Sequence, residues 1–367
     1  MVAHEPLLNI AIVTPRMNSA GGVERVTATW SNYFAGRWHH RTQLVIATSH
    51  DSFFAVDENV IRVSPDLGSG KSILARITRL VRWFFWLGHW LQHHAESLNY
   101  LIVNTTACAV YTLFWRWLFG LHVKIVVCEH LECRGASRGW WRLRRWLYPD
   151  AFAIVSLTEQ DLECYARFNR RVVHLPNPVL LRSVAPVSRA TKTALSIGRL
   201  EYQKAHELLL DAWSSVHRRH PDWSLKIVGE GSLRNALQAQ IAALGLTGAV
   251  TILPPVTDIA ELYSSASLFV LSSRFEGLPV TLLEAQACGL PCVSYDCPTG
   301  PREVIHHGID GYLVALGDVA GLAAGICGVI ESDRYQEMSI AAKAASNRFD
   351  ADAIMARWAH YLEVEWR

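Results

Sequence analysis

Charged residues are scarce in this sequence, because Asp, Glu, Lys and Arg together make up only 19% of its 367 residues. Half of the residues are hydrophobic, which argues against extensive disorder. The formal net charge is only +2, whereas a protein that binds nucleic acid over a broad surface needs a clear excess of basic residues. Internal repeats and low-complexity tracts are also missing. Length and composition therefore predict two globular domains of ordinary size and no nucleic-acid partner.

The first residues, MVAHEPLLNIAIVTP, lack the basic start and the cleavage site of a secretory signal. The eight cysteines include no C-x-x-C pair, and no histidine stands at a metal-ligand spacing from Cys288, Cys292 and Cys297. We therefore expect a cytoplasmic protein with reduced, mostly buried thiols and no bound metal. The most apolar stretch, residues 100–127, is interrupted by polar residues and predicts a strand, a helix and a strand rather than a transmembrane helix.

Charge and tryptophan are unevenly distributed along the chain. Residues 1–180 contain 19 Lys and Arg against 13 Asp and Glu, whereas residues 181–367 contain 16 against 20. Ten of the 14 tryptophans also lie in the first half. A cationic, tryptophan-rich half is thus joined to an acidic half.

Short β-branched runs alternate with helical segments in both halves. The strands predicted in the first half are 8–14, 43–48, 100–104, 124–129, 153–156 and 172–175. Those predicted in the second half are 193–197, 224–228, 250–253, 268–271, 292–295 and 311–314. Continuous apolar strands separated by helices are typical of parallel sheets covered on both faces, so we predict two doubly wound α/β domains.

The domain boundary is predicted at the two prolines of the sequence LPNPVLL, which exclude a helix there. This gives domains over residues 1–177 and 178–348, followed by a C-terminal helix over residues 349–367. Asp350 and Asp352 form a D-x-D pattern that could hold a metal, but at a helix start we expect Asp350 to be the N-cap.

The segment SSRFEGLPVTLLE, residues 272–284, contains the most informative pattern of the second half. Glu276 is expected in a loop after a buried strand, and Glu284 inside the helix that follows. The free N–H groups of a helix N-terminus attract phosphate, so the backbone around Gly277, Leu278 and Pro279 is a candidate phosphate site. Two carboxylates at one spacing are weak evidence alone, since both could simply be surface residues.

Further candidates lie at the ends of other predicted strands. Arg199 and Lys204 follow the strand 193–197, where two cations could neutralise a diphosphate. The Gly21-Gly22 pair opens a helix after the first strand and allows a close backbone approach to a ligand. His130 ends the strand 124–129, although a single histidine is more often structural.

Together these patterns resemble the retaining glycosyltransferases of family 4, and the resemblance covers nearly the whole chain. The matching stretches are GGVERV at 21–26, EH at 129–130, LPNPV at 175–179, GRLEYQKAHELLLDAW at 198–213, LKIVGEGSLRNALQ at 225–238, SSRFEGLPVTLLEAQACGLPCVSYDCPTGPREVI at 272–305 and GYLV at 311–314. The resemblance implies a GT-B fold, in which two Rossmann-like domains face a central cleft and the C-terminal helix crosses back to the first domain.

The resemblance also implies roles for single residues. Glu284 would bind the ribose of the nucleotide and Glu276 the donor sugar, while Arg199 and Lys204 would hold the diphosphate. The other implied ligand residues are the backbone of Gly277, Leu278 and Pro279, the Gly21-Gly22 loop, Val256 beside the base, and His130 beside the reacting face of the sugar. Ala205 stands where the family has a glycine.

The implied reaction moves a hexose or N-acetylhexosamine from a nucleotide-diphosphate sugar, preferably UDP-linked, to a polyprenyl-diphosphate-linked glycan. The run YDCPTGPRE, residues 295–303, is most like members that build bacterial surface polysaccharides. Because cations can stabilise the leaving group, we expect no metal and no cofactor beyond the donor itself. The alternatives are another GT-B enzyme, such as a sugar-nucleotide epimerase or a phosphorylase, and a non-catalytic nucleotide-sugar-binding protein.

Two Arg/Trp segments, residues 73–93 and 137–148, account for much of the basic character of the first half. On a helical wheel, 73–93 separates an apolar side from a side with Arg76, Arg79, Arg82, Trp83, Trp86 and Trp90. Arginine with tryptophan is typical of surfaces that contact lipid headgroups. We therefore predict that the protein lies peripherally on the inner face of the cytoplasmic membrane, although the tryptophans could instead pack inside the domain. We also expect a monomer.

Overall fold

The computed structural model describes residues 7–67, 72–181, 187–256 and 258–366. It divides the chain into two compact units. The first unit consists of Met1–Pro176 together with Met355–Arg367, and the second consists of Asn177–Ile354. The second unit is therefore inserted between two segments of the first.

The first unit contains one parallel sheet of seven strands in the order β3-β2-β1-β4-β5-β6-β7. Its strands are β1 Asn9–Thr14, β2 Arg41–Ile46, β3 Ile61–Val63, β4 Tyr100–Asn104, β5 Lys124–Glu129, β6 Ala153–Ser156 and β7 Val172–His174. Its helices are α1 Gly22–Asn32, α2 Ile73–His94, α3 Thr106–Phe119, α4 Arg138–Leu147 and α5 Leu162–Tyr165. The short edge strand β3 was not predicted, because two of its three side chains are exposed and it has no apolar run.

The second unit contains one parallel sheet of six strands in the order β10-β9-β8-β11-β12-β13. Its strands are β8 Thr193–Ile197, β9 Ser224–Val228, β10 Val250–Leu253, β11 Leu268–Leu271, β12 Cys292–Asp296 and β13 Gly311–Ala315. Its helices are α6 His206–Arg219, α7 Arg234–Ala243, α8 Ile259–Ser264, α9 Val280–Ala287, α10 Pro301–Val304, α11 Val319–Glu331 and α12 Tyr335–Ser346. The prediction of two doubly wound parallel sheets is confirmed.

The last helix, α13 Ala351–His360, begins in the second unit and ends in the first. Asp350 caps it as predicted, since its Oδ1 accepts a hydrogen bond from the Ala353 amide at 3.2 Å. The indole of Trp358 then packs against Trp30 of α1 at a ring distance of 5.1 Å. The C-terminal segment thus packs against α1, and the Leu362 carbonyl accepts a hydrogen bond from the Tyr100 hydroxyl of β4 at 2.8 Å.

Two predictions about side chains in the first unit are wrong. Trp83 and Trp90, expected on the outer side of α2, are almost completely buried, because this helix turns the tryptophan side of its second half toward the sheet. Cys133 and Cys164, expected as reduced thiols, form a disulfide that joins the β5–α4 loop to α5. The six other cysteines are buried and lie outside this disulfide.

None of the described helices is both long enough and apolar enough to span a lipid bilayer.

Candidate functional site

The strand order of the second sheet reverses between β8 and β11, which pair side by side. Ligands of doubly wound sheets bind at the carboxyl ends of the strands beside such a reversal. The loops that follow these two strands there, residues 198–205 and 272–279, contain Arg199, Lys204 and Glu276. The structure therefore brings these three predicted residues to one sheet edge.

Lys204 and Glu276 form a nearly buried ion pair within this edge. The Lys204 Nζ lies 2.6 Å from Glu276 Oε1, and the two side chains are only 13% and 8% exposed. The carbonyl of Lys204 accepts a hydrogen bond from Ser272 Oγ, and that of Glu276 accepts one from Thr299 Oγ1, each at 2.8 Å. Both charged side chains are thus held by rigid backbone.

Two residues beside Lys204, Gly198 and Ala205, determine how its side chain packs and how its loop turns. An added Cβ on Gly198 would come within 3.0 Å of the Lys204 side-chain carbons, so glycine allows the lysine to pack there. Ala205 adopts the left-handed conformation, with φ 50° and ψ 40°. This is the position where the resembled family has glycine, which occupies that region without steric cost.

Replacing Ala205 with glycine should stabilise the second unit. Alanine in the left-handed region costs roughly 1–2 kcal/mol, whereas the loss of its buried methyl group and the greater freedom of unfolded glycine offset part of the gain. We expect a net gain of up to about 1 kcal/mol, measurable as a rise of the thermal unfolding midpoint by about 2–4 °C. Ala239→Gly is the matched control: it lies at an exposed position within α7 and should lower the midpoint. A lower midpoint for Ala205→Gly would contradict the prediction.

Gln203 connects Arg199 to the loop that contains Glu276. Arg199 Nη2 donates to Gln203 Oε1 at 2.8 Å, and Gln203 Nε2 donates to the Phe275 carbonyl at 2.9 Å. The guanidinium of Arg199 remains exposed at the sheet edge. This role of Gln203 was not predicted, although the residue lies between the two predicted cations.

Helix α9 begins after Pro279 and places Glu284 in the interior, with only 2% of the residue exposed. The hydroxyl of Tyr263 lies 2.9 Å from Glu284 Oε2 and orients the carboxylate. Two other buried hydroxyl oxygens, Ser273 Oγ and Thr281 Oγ1, have no hydrogen-bond partner in the described part of the chain. These groups leave hydrogen-bonding capacity around the start of α9.

The remaining predicted residues of the second unit also lie at the carboxyl edge of the sheet. The carbonyl of Leu278 accepts a hydrogen bond from Asn177 Nδ2 at 2.9 Å, and the carbonyl of Gly277 packs on Gly300, where a Cβ would come within 2.0 Å. Val256 follows β10, which β9 separates from β8, so it is not in the cluster around Lys204. The sequence predicts no separate role for Asn177, which is one residue of the LPNPV stretch.

In the first unit, His130 follows β5 and is held by Asn104 at the end of β4. His130 Nε2 lies 3.3 Å from Asn104 Oδ1, and Asn104 Nδ2 donates to Thr27 Oγ1 at 2.7 Å. This amide orientation assigns the proton of the imidazole to Nε2 and leaves Nδ1 as an acceptor. Burial lowers the pKa of His130 to about 4, so the ring is neutral at physiological pH.

Thr105, directly after Asn104, has φ 78° and ψ 148°, a conformation that β-branched residues rarely adopt. Its amide donates to the Cys128 carbonyl at 3.2 Å, and its own carbonyl accepts from Ala109 N at 3.0 Å. Such strain costs on the order of 1–3 kcal/mol and is concentrated at functional sites. It lies here beside the residue that orients His130.

Glu129 is the centre of a buried polar cluster beneath His130. Its Oε1 lies 3.0 Å from Arg144 Nη2, and both side chains are at most 2% exposed. The hydroxyls of Thr106 and Tyr148 also donate to this carboxylate, and burial together with the charge of Glu129 raises the pKa of Tyr148. Arg144 was predicted on the lipid-facing surface. That assignment is wrong, because this arginine anchors α4 to β5.

The Gly21-Gly22 pair opens α1, as predicted. The carboxylate of Glu24 folds back over Gly21, where a Cβ would lie 2.1 Å from Oε2. Arg16 Nε at 3.1 Å and Ser19 Oγ at 2.5 Å pair with Glu24 Oε1.

Among the described residues, the one cluster that could supply three metal ligands lies outside this loop, at His220, Cys327 and Glu331 near the ends of α6 and α11.

Comparison with known proteins identifies relatives of this chain. Residues 182–346 match the family model "Glycosyl transferases group 1". The chain is 26% identical over 366 residues to the amylovoran biosynthesis glycosyltransferase AmsD of Erwinia amylovora, covering 96% of this chain and 99% of AmsD. It is also 26% identical to a Campylobacter jejuni α-1,4-N-acetyl-D-galactosaminyltransferase named for its undecaprenol-linked acceptor, covering 96% and 97% of the two chains.

Among solved structures, HepE of Anabaena in complex with UDP and glucose superimposes with a TM-score of 0.77 at 18% identity. The match covers 97% of this chain and all of the HepE chain. It confirms the predicted GT-B fold. Both relatives are bacterial glycosyltransferases, as the resemblance implied.

Proposed function

We propose that this chain, which contains a glycosyl transferases group 1 domain, is a retaining enzyme that moves a hexose or N-acetylhexosamine from a UDP-sugar to a lipid-linked glycan. The observation that carries the proposal is the Lys204–Glu276 ion pair between the β8 and β11 loops, at the reversal of strand order. A cation and a helix N-terminus suit the phosphates of a sugar diphosphate, and a carboxylate beside them suits the hydroxyls of its sugar.

In the proposed complex, the cations Lys204 and Arg199 approach the diphosphate, assisted by the N–H groups at the start of α9. Glu284, oriented by Tyr263, accepts the two ribose hydroxyls, and the unpaired hydroxyls of Ser273 and Thr281 offer further hydrogen bonds. Glu276 then exchanges part of its contact with Lys204 for the hydroxyls of the donor sugar.

The transfer breaks the bond between the anomeric carbon and the diphosphate oxygen, and the electron pair leaves with the diphosphate. The acceptor oxygen bonds to the same face of the anomeric carbon, and its proton passes to a diphosphate oxygen. Spreading the leaving-group charge over two cations and a helix N-terminus lowers the barrier without an acid to protonate it. The neutral His130, with Nδ1 free to accept, would bind a hydroxyl of the donor sugar.

The acceptor is proposed to be presented by a membrane, because the outer surface of α2, α3 and α4 is both apolar and cationic. These three helices contain no Asp or Glu. Their exposed apolar side chains are Leu74, Ile77, Leu80, Val81, Phe85, Trp117, Leu118, Leu143 and Trp146. Exposed arginines of α2 and α4 lie among them. We call this surface the helical face and propose that it docks on anionic lipid.

Charge insertion into the helical face should strongly weaken membrane binding. Phe85 and Trp146 are 60% and 51% exposed, so Phe85→Glu and Trp146→Glu should leave the fold intact while reducing binding to phosphatidylglycerol vesicles at least about tenfold. Vesicle flotation at low salt measures the change. Ile340→Glu, at a 62% exposed position of α12, is the control and should bind like the wild type. Absence of wild-type binding would refute docking.

The catalytic proposal is tested with a panel of nucleotide sugars. The true donor should raise the unfolding midpoint in proportion to the logarithm of its excess over Kd. Incubation with that donor and a polyprenyl-diphosphate-linked saccharide should give an α-linked product from an α-linked donor, with full activity in EDTA. Stabilisation without transfer or hydrolysis would instead favour a non-catalytic binding protein, and inversion at the anomeric carbon would exclude the retaining mechanism.

A further inference from the structure

A large open cavity lies in the first unit, at the edge of the sheet opposite the candidate site. Its volume is about 1010 Å³. The lining residues directly precede the strands β5, β6 and β7, so the cavity is at their amino ends, whereas Asn104 and His130 lie at carboxyl ends. A strand of six residues is about 20 Å long, which separates the two places. The cavity is therefore not part of the sugar-transfer machinery.

The lining of this cavity is strongly cationic. It is formed in part by the basic side chains Arg116, His122, Lys124, Arg167, Arg170 and Arg171. Asp150 is the one acidic residue of the lining. None of the four arginines forms an ion pair with a carboxylate in the described part of the chain. A concave surface with this imbalance concentrates anions.

Two details indicate a ligand with both charge and an apolar portion. Arg116 Nε is buried and has no hydrogen-bond partner among the described residues, so a bound oxygen acceptor would relieve the cost of its burial. The aromatic ring of Phe152 lines the same cavity, with the Arg171 guanidinium 4.2 Å from its centroid. An oxyanion attached to a hydrophobic group fits both observations.

The cavity is continuous with the helical face. Arg116 precedes the exposed Trp117 at the end of α3, and Pro149 and Asp150 follow α4 closely after the exposed Trp146. The two indoles pack against each other with ring centroids 5.4 Å apart. Paired indoles beside arginines are typical of the depth at which lipid headgroups meet acyl chains.

We propose that this cavity binds the phosphate headgroup of an anionic phospholipid. The inference rests on the proposed docking function and extends it, because it assigns a headgroup site to residues outside α2 and α4. Arg116, Arg167 and Arg170 would surround the phosphate, while the acyl chains would lie along Trp117 and Trp146. The ligand chemistry is a phosphate diester with lipid chains, in preference to a free phosphate ion.

The site is tested first without a membrane. Short-chain dihexanoyl phosphatidylglycerol is titrated below its micelle concentration, with dihexanoyl phosphatidylcholine as the uncharged comparison. The wild type should bind the anionic lipid at least about tenfold more tightly. Arg167→Ala/Arg170→Ala should weaken this binding at least about tenfold, because both guanidinium groups would lose charge-assisted hydrogen bonds to the phosphate. The control Arg62→Ala/Arg134→Ala removes two exposed charges of the same unit outside the cavity and should change affinity less than twofold.

Vesicles then separate failure of this site from failure of the docking proposal. If wild-type protein fails to float with phosphatidylglycerol vesicles but binds the short-chain lipid, docking is wrong and the headgroup site stands. If the Arg167/Arg170 variant floats like the wild type and the short-chain lipid binds no better than phosphatidylcholine, the headgroup site is wrong and docking stands. Equal competition by inorganic phosphate at the same concentration would also overturn the assignment to a lipid.

Discussion

Lys204→Ala should reduce the rate of sugar transfer by about 10²–10³-fold, which is the usual cost of removing one charge-stabilising donor from an active site. The Nζ atom of Lys204 lies 2.6 Å from Glu276 Oε1. In the proposed complex this ammonium group would also bind the negatively charged diphosphate. Glu276→Gln should give a loss of similar size, because the neutral amide keeps the shape of the carboxylate but binds sugar hydroxyls more weakly. Initial rates with saturating donor and acceptor measure both effects.

An exposed ion pair of the same unit supplies the control. Lys192 and Asp222 are paired in the second unit, but their side chains are 51% and 54% exposed. Lys192→Ala removes the same charge as Lys204→Ala and should leave transfer unchanged. The double variant Lys204→Ala/Glu276→Gln should lose less than the product of the single losses, since the two groups act together. Full transfer by both folded single variants would disprove the proposed site.

Arg144→Ala should lower the free energy of unfolding of the first unit by about 3–5 kcal/mol. Arg144 and Glu129 are both buried, so the substitution leaves a buried carboxylate without its cation. The guanidinium also donates to the Cys133 carbonyl at 3.0 Å and to Thr106 Oγ1 at 2.7 Å. Denaturant unfolding followed by tryptophan fluorescence reports this loss, because the first unit contains most of the tryptophans.

The neighbouring arginine provides the comparison for this effect. Arg145 is exposed on the same helix, so Arg145→Ala should change stability by less than about 0.5 kcal/mol. Arg144→Met combined with Glu129→Gln should recover much of the loss, since replacing both charges removes the unpaired one. A change below about 1 kcal/mol for Arg144→Ala would show that the pair is not the main anchor of α4.

The convergence of the second-unit residues was predictable from sequence. Lys204 and Glu276 are 72 positions apart, yet each follows a buried strand, and all strands of a parallel sheet end at the same edge. The strand pattern therefore predicts that the two loops meet. It does not predict that Gln203 connects Arg199 to the Glu276 loop or that Tyr263 donates to Glu284. Such side-chain hydrogen bonds depend on rotamers that no periodicity encodes.

The errors in the first unit have a different cause. A helical wheel shows which residues share one side of a helix, but it does not show which side faces the sheet. Helix α2 has large apolar side chains on both of its sides. Trp83 packs inward and stacks on Trp86 at 5.4 Å, while Leu74 and Ile77 remain outside. In the same way, nothing in the spacing of four arginines indicates that Arg144 alone turns inward. Likewise, only the tertiary fold brings Cys133 and Cys164 close enough to form their disulfide, and their spacing of 31 residues does not indicate it.

The insertion of the second unit into the first has a consequence for synthesis on the ribosome. Trp30 of α1 and Phe34, just beyond the end of this helix, both pack against Trp358. That tryptophan is translated only after the intervening unit of about 180 residues. At bacterial and eukaryotic elongation rates of about 5–20 residues per second, the delay is roughly 10–35 s. The second unit can fold during that time, whereas the first sheet waits with Trp30 and Phe34 uncovered, and exposed apolar surface of this kind favours aggregation until synthesis is complete.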